Sequence, residues 1–193
     1  MTTDTRRISN TGAQRRWAAE LEHFWFRRLN PGQWFAPDKD VDAELHRRFA
    51  PDLAALWTQG PPSFLTDPHT ALAAVLLFDQ VPRNLFRGTA TTFAFDPLAQ
   101  RITHGALARG FDRALRPEQR VFLAMPLMHS EQIADQLRSV RFFTQLGLPA
   151  NRAFAVDHYR MIARFGRFPH RNAALGRTST PAECRAVEQG FAW

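Results

Sequence analysis

Two stretches of this 193-residue chain carry the same set of polar residues. The first is Asp79-Gln80-Val81-Pro82-Arg83-Asn84, followed by Arg87-Gly88-Thr89. The second is Arg167-Phe168-Pro169-His170-Arg171-Asn172, followed by Gly176-Arg177-Thr178, with His170 as a one-residue insertion. The Arg-Asn pairs lie 88 positions apart, a short match that is thin support for an internal duplication. Forked guanidinium groups suit carboxylate and phosphate partners. Arg83, Asn84, Arg87, Arg167, His170, Arg171 and Asn172 are therefore candidate ligands for an anion, meeting in one basic pocket. The same residues also suit a local role. Proline ends a helix, asparagine tolerates the turn that follows, and arginine caps carbonyls left without donors. Spacing alone leaves both readings open.

A third cluster, Met128-His129-Ser130-Glu131 with Asp135, offers acid–base chemistry. His129 is a candidate general acid or base, oriented by Glu131, Asp135 or the distant Asp79, and His170 is the alternative. Glu131 and Asp135 are four apart and should share a helix face, with Ser130 as a cap. With Asp157-His158 these residues make a metal site conceivable. Neither a Glu-x-x-His pair nor His-Glu-x-x-His is present, so no metal and no cofactor are expected. The chain also lacks a phosphate-cradling glycine loop, a Gly-x-Ser-x-Gly elbow and a dinucleotide fingerprint. Its single cysteine, Cys184, excludes an intramolecular disulfide framework and reads as a packing residue.

Composition bounds the partners. A chain that is 45% hydrophobic and 22% charged is not disordered. The net charge is +7, and of 25 basic residues only Lys39 is a lysine. The pairs Arg6-Arg7, Arg15-Arg16, Arg27-Arg28 and Arg47-Arg48 alternate with acidic and apolar residues, and the block 51–100 is net acidic. Nucleic-acid footprints cluster, so no specific nucleic-acid partner is expected. The longest apolar run, Ala71 to Phe78, falls far short of the roughly 20 residues that span a bilayer. No secretory h-region is visible in the first sixteen residues, so a cytoplasmic protein without membrane association is expected, as a monomer or a homodimer.

These residues have to be positioned by helices. Trp17, Leu21, Phe24, Trp25 and Leu29 recur at helical steps from Ala13 until Asn30-Pro31-Gly32. This predicts a mobile leader over 1–12 and a single helical domain over 13–193. Val41 to Gly60 reads as a second helix that Pro51 should kink or divide. Asp67-Pro68 opens a helix to about Gln80, apolar on nearly all sides and therefore central. Asp96-Pro97 repeats the start signal, with Gly110 as the stop. Arg116-Pro117 opens a segment interrupted at Pro126 and resumed from Ser130 to Leu146. Further helices run from Pro149 to Phe165 and from the capping box Thr180-Pro181-Ala182-Glu183 to Gly190. No stretch alternates with period two, so the class is all-α.

The stretches Phe24-Trp25-Phe26, Leu76 to Gly88, Met128-His129-Ser130-Glu131, Arg164 to Asn172, Leu175-Gly176-Arg177-Ser179-Thr180 and Gly190-Phe191-Trp193 resemble the bacterial domain-of-unknown-function 924 family. The resemblance extends from about Ala13 onward. It implies an all-helical array of antiparallel helix hairpins similar to tetratricopeptide folds, and no established reaction, substrate or cofactor. Function then divides between three readings. One is a binding module for an anionic small molecule or an acidic peptide end. Another is an enzyme on an anionic metabolite, with His129 or His170 as general acid or base and Glu131 or Asp79 orienting it. The third makes the polar clusters purely structural.

Overall fold

The structure is a computed structural model that describes residues 16–191. The expected leader over 1–12 and Trp193 lie outside the described residues, within which every regular element is helical. Helix α1 covers 16–23 and widens into a π turn, Phe24–Arg28, closed by the Leu29 N–H on the Phe24 carbonyl. Helix α2, Lys39–Leu56, starts at Asp38, whose carboxylate accepts the N–H groups of Asp40 and Val41. Pro51 does not divide α2. It sits on the exposed face, and so does Arg47, whose carbonyl loses its donor. On an exposed face water can take the place of the missing donor, so the proline costs the helix less than it would inside.

Asp67 opens α3, Pro68–Val75, by accepting the N–H groups of His69 and Thr70. The helix continues through a second π turn, Leu76–Gln80, into α4, Val81–Leu85. Pro82 offers no N–H to the carbonyl four residues back, and Val81 reaches five residues back to Leu76. Every residue from Ala71 to Pro82 is buried, as the all-round apolar pattern requires.

Helix α5 spans Asp96–Ala108 and α6 spans Pro117–Met128, running on for two residues past Pro126. Helices α7, Ile133–Leu146, and α8, Pro149–Phe165, are joined by Gly147 and Leu148 alone. Gly147 takes φ 74°, a left-handed turn that carries a heavy penalty for a residue with a Cβ. Helix α9, Pro181–Glu188, begins with the expected Thr180–Glu183 capping box.

Helices α3 and α6 form the middle of the molecule. The first packs on α5 and α6, and the second on α5, α7 and α8. Their apolar side chains meet the aromatic rings of α1 and the Pro61–Phe64 turn. Trp25 lies edge-on to Phe122 at 5.6 Å, and Phe64 to Phe78 at 5.2 Å. A smaller apolar cluster, Met161, Ile162, Phe168 and Ala186, ties α8 to the segment that follows it and to α9. Phe78 is wholly buried immediately before Asp79. Phe78→Ala should lower the unfolding free energy by about 3–5 kcal/mol in urea denaturation, through lost burial and a residual cavity.

Candidate functional site

The π turn after α3 aims Asp79 inward, where its side chain is wholly buried. Gln80 donates to Asp79 Oδ2 at 2.6 Å, and His129 Nδ1 lies 2.7 Å from Oδ1. Arg83, one turn on, donates to the Asp79 carbonyl at 2.6 Å and approaches its carboxylate at 3.2 Å. Burial opposes ionisation of Asp79, but Arg83 and His129 together outweigh it and hold the carboxyl well below the usual range. His129 lies just past the end of α6 with 14% of its side chain exposed. Burial pushes its imidazole down and Arg83 adds to that, with Asp79 pulling the other way. The neutral imidazole donates from Nδ1 to Asp79, and Nε2 makes no hydrogen bond among the described residues.

Asp96 stands beside this pair. It receives Arg83 through two bonds, 2.8 and 3.1 Å, and Arg171 at 3.2 Å. Arg171 also donates to the His129 carbonyl at 3.0 Å. Its guanidinium lies 4.6 Å from the ring centroids of both Phe93 and Phe168. Burial brings Arg171 down to about 10, still a cation at neutral pH. His158 and His170 complete the cluster. The His158 ring lies 6.4 Å from His129 and 5.5 Å from Phe168, which in turn lies 5.6 Å from His170. Burial pushes His158 down to about 3, with His129 adding to it, and His170 down to about 4, with Arg171 adding to it.

Of the arginines expected to share one pocket, Arg83 and Arg171 meet, on Asp96. Arg87 instead pairs with Asp42 at 2.8 Å and with Asn84, which itself donates to the Gln80 carbonyl. Arg167 forms a two-bond pair with Glu183, 2.6 and 2.9 Å, and donates to the Thr178 carbonyl. Asn172 donates to Ser179 and accepts the Arg177 N–H at its carbonyl. The carbonyl-capping role therefore coexists with ion pairing in the same side chains.

Glu131 and Asp135 do not share a face. Helix α7 starts only at Ile133, which leaves Glu131 in the preceding loop, where it binds Arg177 at 2.8 and 2.9 Å and the Phe168 N–H. Burial works against the Glu131 carboxylate, but those bonds prevail and hold it below its ordinary value. Asp135 accepts from Ser130 and meets His104 at 2.9 Å. Ser130 lies three residues before the first residue of the helix, with Gln132 in the cap position, and accepts the Gln132 N–H. Asp79, rather than Glu131 or Asp135, is the carboxylate on His129. No group of three or more His, Cys, Asp or Glu residues is placed to hold a metal ion among the described residues.

Sequence reading missed the centre of the cluster. Asp96 looks like a helix cap before Pro97, yet Phe95 occupies the cap position and the Asp96 carboxylate turns to the two arginines. Phe93, whose ring lies 4.6 Å from the Arg171 guanidinium, left no signal at all. A buried carboxylate shared by arginines from two distant turns, beside an imidazole, defines a helical protein with an internal ion-pair network at its candidate site. Comparison with known proteins bears on the family and the fold. The family described as bacterial protein of unknown function (DUF924) matches residues 21–190, and the chain belongs to it. It is 38% identical to the solved structure of a protein of unknown function, ATU0120, from Agrobacterium tumefaciens. That match covers 92% of this chain and 99% of the other, with a TM-score of 0.86. No curated protein matches the chain significantly. Among the described residues no helix is long and apolar enough to cross a membrane.

Asp96→Ala leaves two buried or half-buried cations without their carboxylate, and should cost about 3–5 kcal/mol of stability in chemical denaturation. A pH effect follows from the histidines. Unfolded His158 and His170 take up protons near pH 6.5, whereas in the fold they do so only near 3 and 4. The unfolded state therefore binds more protons below 6.5, and stability should fall steadily between pH 6.5 and 4. His158→Phe should flatten that decline, as read from denaturation midpoints at a series of pH values.

Proposed function

We propose that this protein is an enzyme in which His129 takes a proton from a small anionic substrate. One observation carries the reading: the imidazole is tied through Nδ1 to a wholly buried carboxylate, and Nε2 is left without a hydrogen-bond partner among the described residues. A neutral imidazole held in one tautomer, with a carboxylate ready to stabilise the imidazolium, has the features of a general base. In the step, a substrate X–H bond breaks, its electron pair stays on X, and the proton goes to Nε2. Asp79 then faces a cation, and Arg83 and Arg171 supply positive potential for the charge left on the substrate. Arg83, paired with Asp96, keeps 19% of its side chain exposed against 8% for Arg171 and so lends its positive potential more openly.

A pure binding module at Arg83, Asn84, Arg87, Arg167, His170, Arg171 and Asn172 draws less support. Asp96, Asp42 and Glu183 already engage the four guanidinium groups. The test is turnover of a panel of anionic metabolites by the wild type, His129→Gln and Asp79→Asn. The expected result is wild-type turnover of a member of the panel that falls about 10²–10⁴-fold in His129→Gln, and that in the wild type holds down to a pH below the ordinary imidazole range before it declines, because burial and Arg83 push the His129 imidazole down. Unchanged turnover in His129→Gln overturns the reading. So does a ligand that the wild type binds without converting it, which leaves the binding module in its place.

A further inference from the structure

A groove of about 840 Å³ opens at the far end of the two central helices. Helix α1 supplies one wall through Ala18, Ala19, Glu22 and His23, and its π turn adds Phe26 and Arg27. Thr66, Asp67, His69 and Thr70, at the start of α3, form another wall. Ala114, Arg116 and Gln119 close it beside the start of α6. Residue spacing along the chain offers no reason to join them. A concavity of this size suits a small metabolite.

The acidic groups in the groove are already engaged. Both oxygens of Glu22 lie within 3.0–3.1 Å of His69 Nδ1, and Gln119 Nε2 donates to Glu22 at 3.3 Å. Asp67 is taken up by the Thr66 and Thr70 hydroxyls and by the N–H groups of His69 and Thr70. The two guanidinium groups are less engaged. Arg27 has no ion pair or hydrogen bond among the described residues. Arg116 meets the exposed Glu118 at 3.2 Å and Gln119 Oε1 at 3.3 Å. His69 uses Nδ1 on Glu22 and keeps 61% of its side chain exposed. Two guanidinium groups from separate elements therefore line one hollow whose carboxylates are engaged.

We propose that this groove is a second ligand site, separate from the His129 cluster, which takes a small metabolite through its phosphoryl group. Arg27 and Arg116 face the oxyanion, His69 stands beside them, and Phe26 with the alanines covers its apolar part. Donors on several sides suit a tetrahedral oxyanion better than a planar carboxylate, and forked guanidinium groups fit it well. Burial pushes Glu22 up, only partly countered by His69. The separation from the other cluster follows from helix geometry. His69 precedes Asp79 by ten residues on the α3 run, and Gln119 precedes His129 by ten residues on the α6 run, about 15 Å of helical rise in each case.

The test is a titration of the full chain with inorganic phosphate at constant pH and ionic strength, followed by NMR of the histidine imidazoles. The expected result is a saturable shift at His69 and His23 that survives His129→Gln. It should weaken at least tenfold in Arg27→Ala/Arg116→Ala and return in Arg27→Lys/Arg116→Lys, with circular dichroism confirming that each variant is folded. A shift that does not saturate, an unchanged affinity in the double alanine variant, or a response at His129 instead of His69 overturns the proposal. Because the His129 variant keeps its groove, failure here and failure of the proton-transfer reading are told apart.

Discussion

The carboxylate of Asp96 holds the molecule's polar interior together. Two arginines from turns far apart in the chain need a common anion once their guanidinium groups leave water, and Asp96 supplies it at 2.8–3.2 Å. Removing a buried charge from its partner costs far more than the intact pair gains, so the arrangement is one of mutual dependence. Arg83 fixes the π turn to α5, and Arg171 fixes the segment after α8 to the same point. Through the His129 carbonyl, Arg171 also anchors the end of α6. The stacked rings of Phe93 and Phe168 then shield Arg171 from water.

The π turn at Leu76–Gln80 serves the same centre. One extra residue in the helix alters which side chains face inward, and here it brings Asp79 and Gln80 to the interior together. Asp79 meets His129, and Gln80 bonds both to Asp79 and to Met125 sulfur on α6. Helices α3 and α6 thus present polar residues at both ends of an apolar middle. The proposed proton-transfer cluster sits beyond their C-termini, and the proposed phosphoryl groove sits beside their N-termini. The apolar packing between them keeps each end in register with the other.

The arginine excess resolves into several physical roles. Some arginines make exposed pairs of the kind that contribute little, such as Arg47 with Glu44 and Arg160 with Asp157. Others, Arg167 on Glu183 and Arg177 on Glu131, clamp the last third of the chain with two-bond forks that lysine could not reproduce. Arg83 and Arg171 belong to the buried network, and Arg27 remains without a described partner at the groove. A net charge of +7 is the sum of these roles and says nothing about which arginine plays which.

Local features were legible in the sequence because their causes are local. Asp67 and Thr180 cap their helices, Gly147 and Gly166 turn left-handed after theirs, and the unbroken apolar run Ala71–Phe78 is buried. Each follows from backbone donors, a missing Cβ or hydrophobic periodicity within a few residues. Pro51 misled because the cost of a proline depends on which face its carbonyl partner occupies, whereas α6 does end two residues past Pro126. Asp96 misled because a residue before proline satisfies the pattern of a cap whether or not its carboxylate is needed elsewhere. The sequence by itself determined an all-helical chain and brought forward Arg83, His129 and Arg171. Only the tertiary structure decided that Asp79 orients His129, that Asp96 joins the two motifs, and that Glu22 and His69 share a groove. Those pairings act through space between residues tens of positions apart, where electrostatic attraction depends on distance and burial and leaves no periodic trace along the chain.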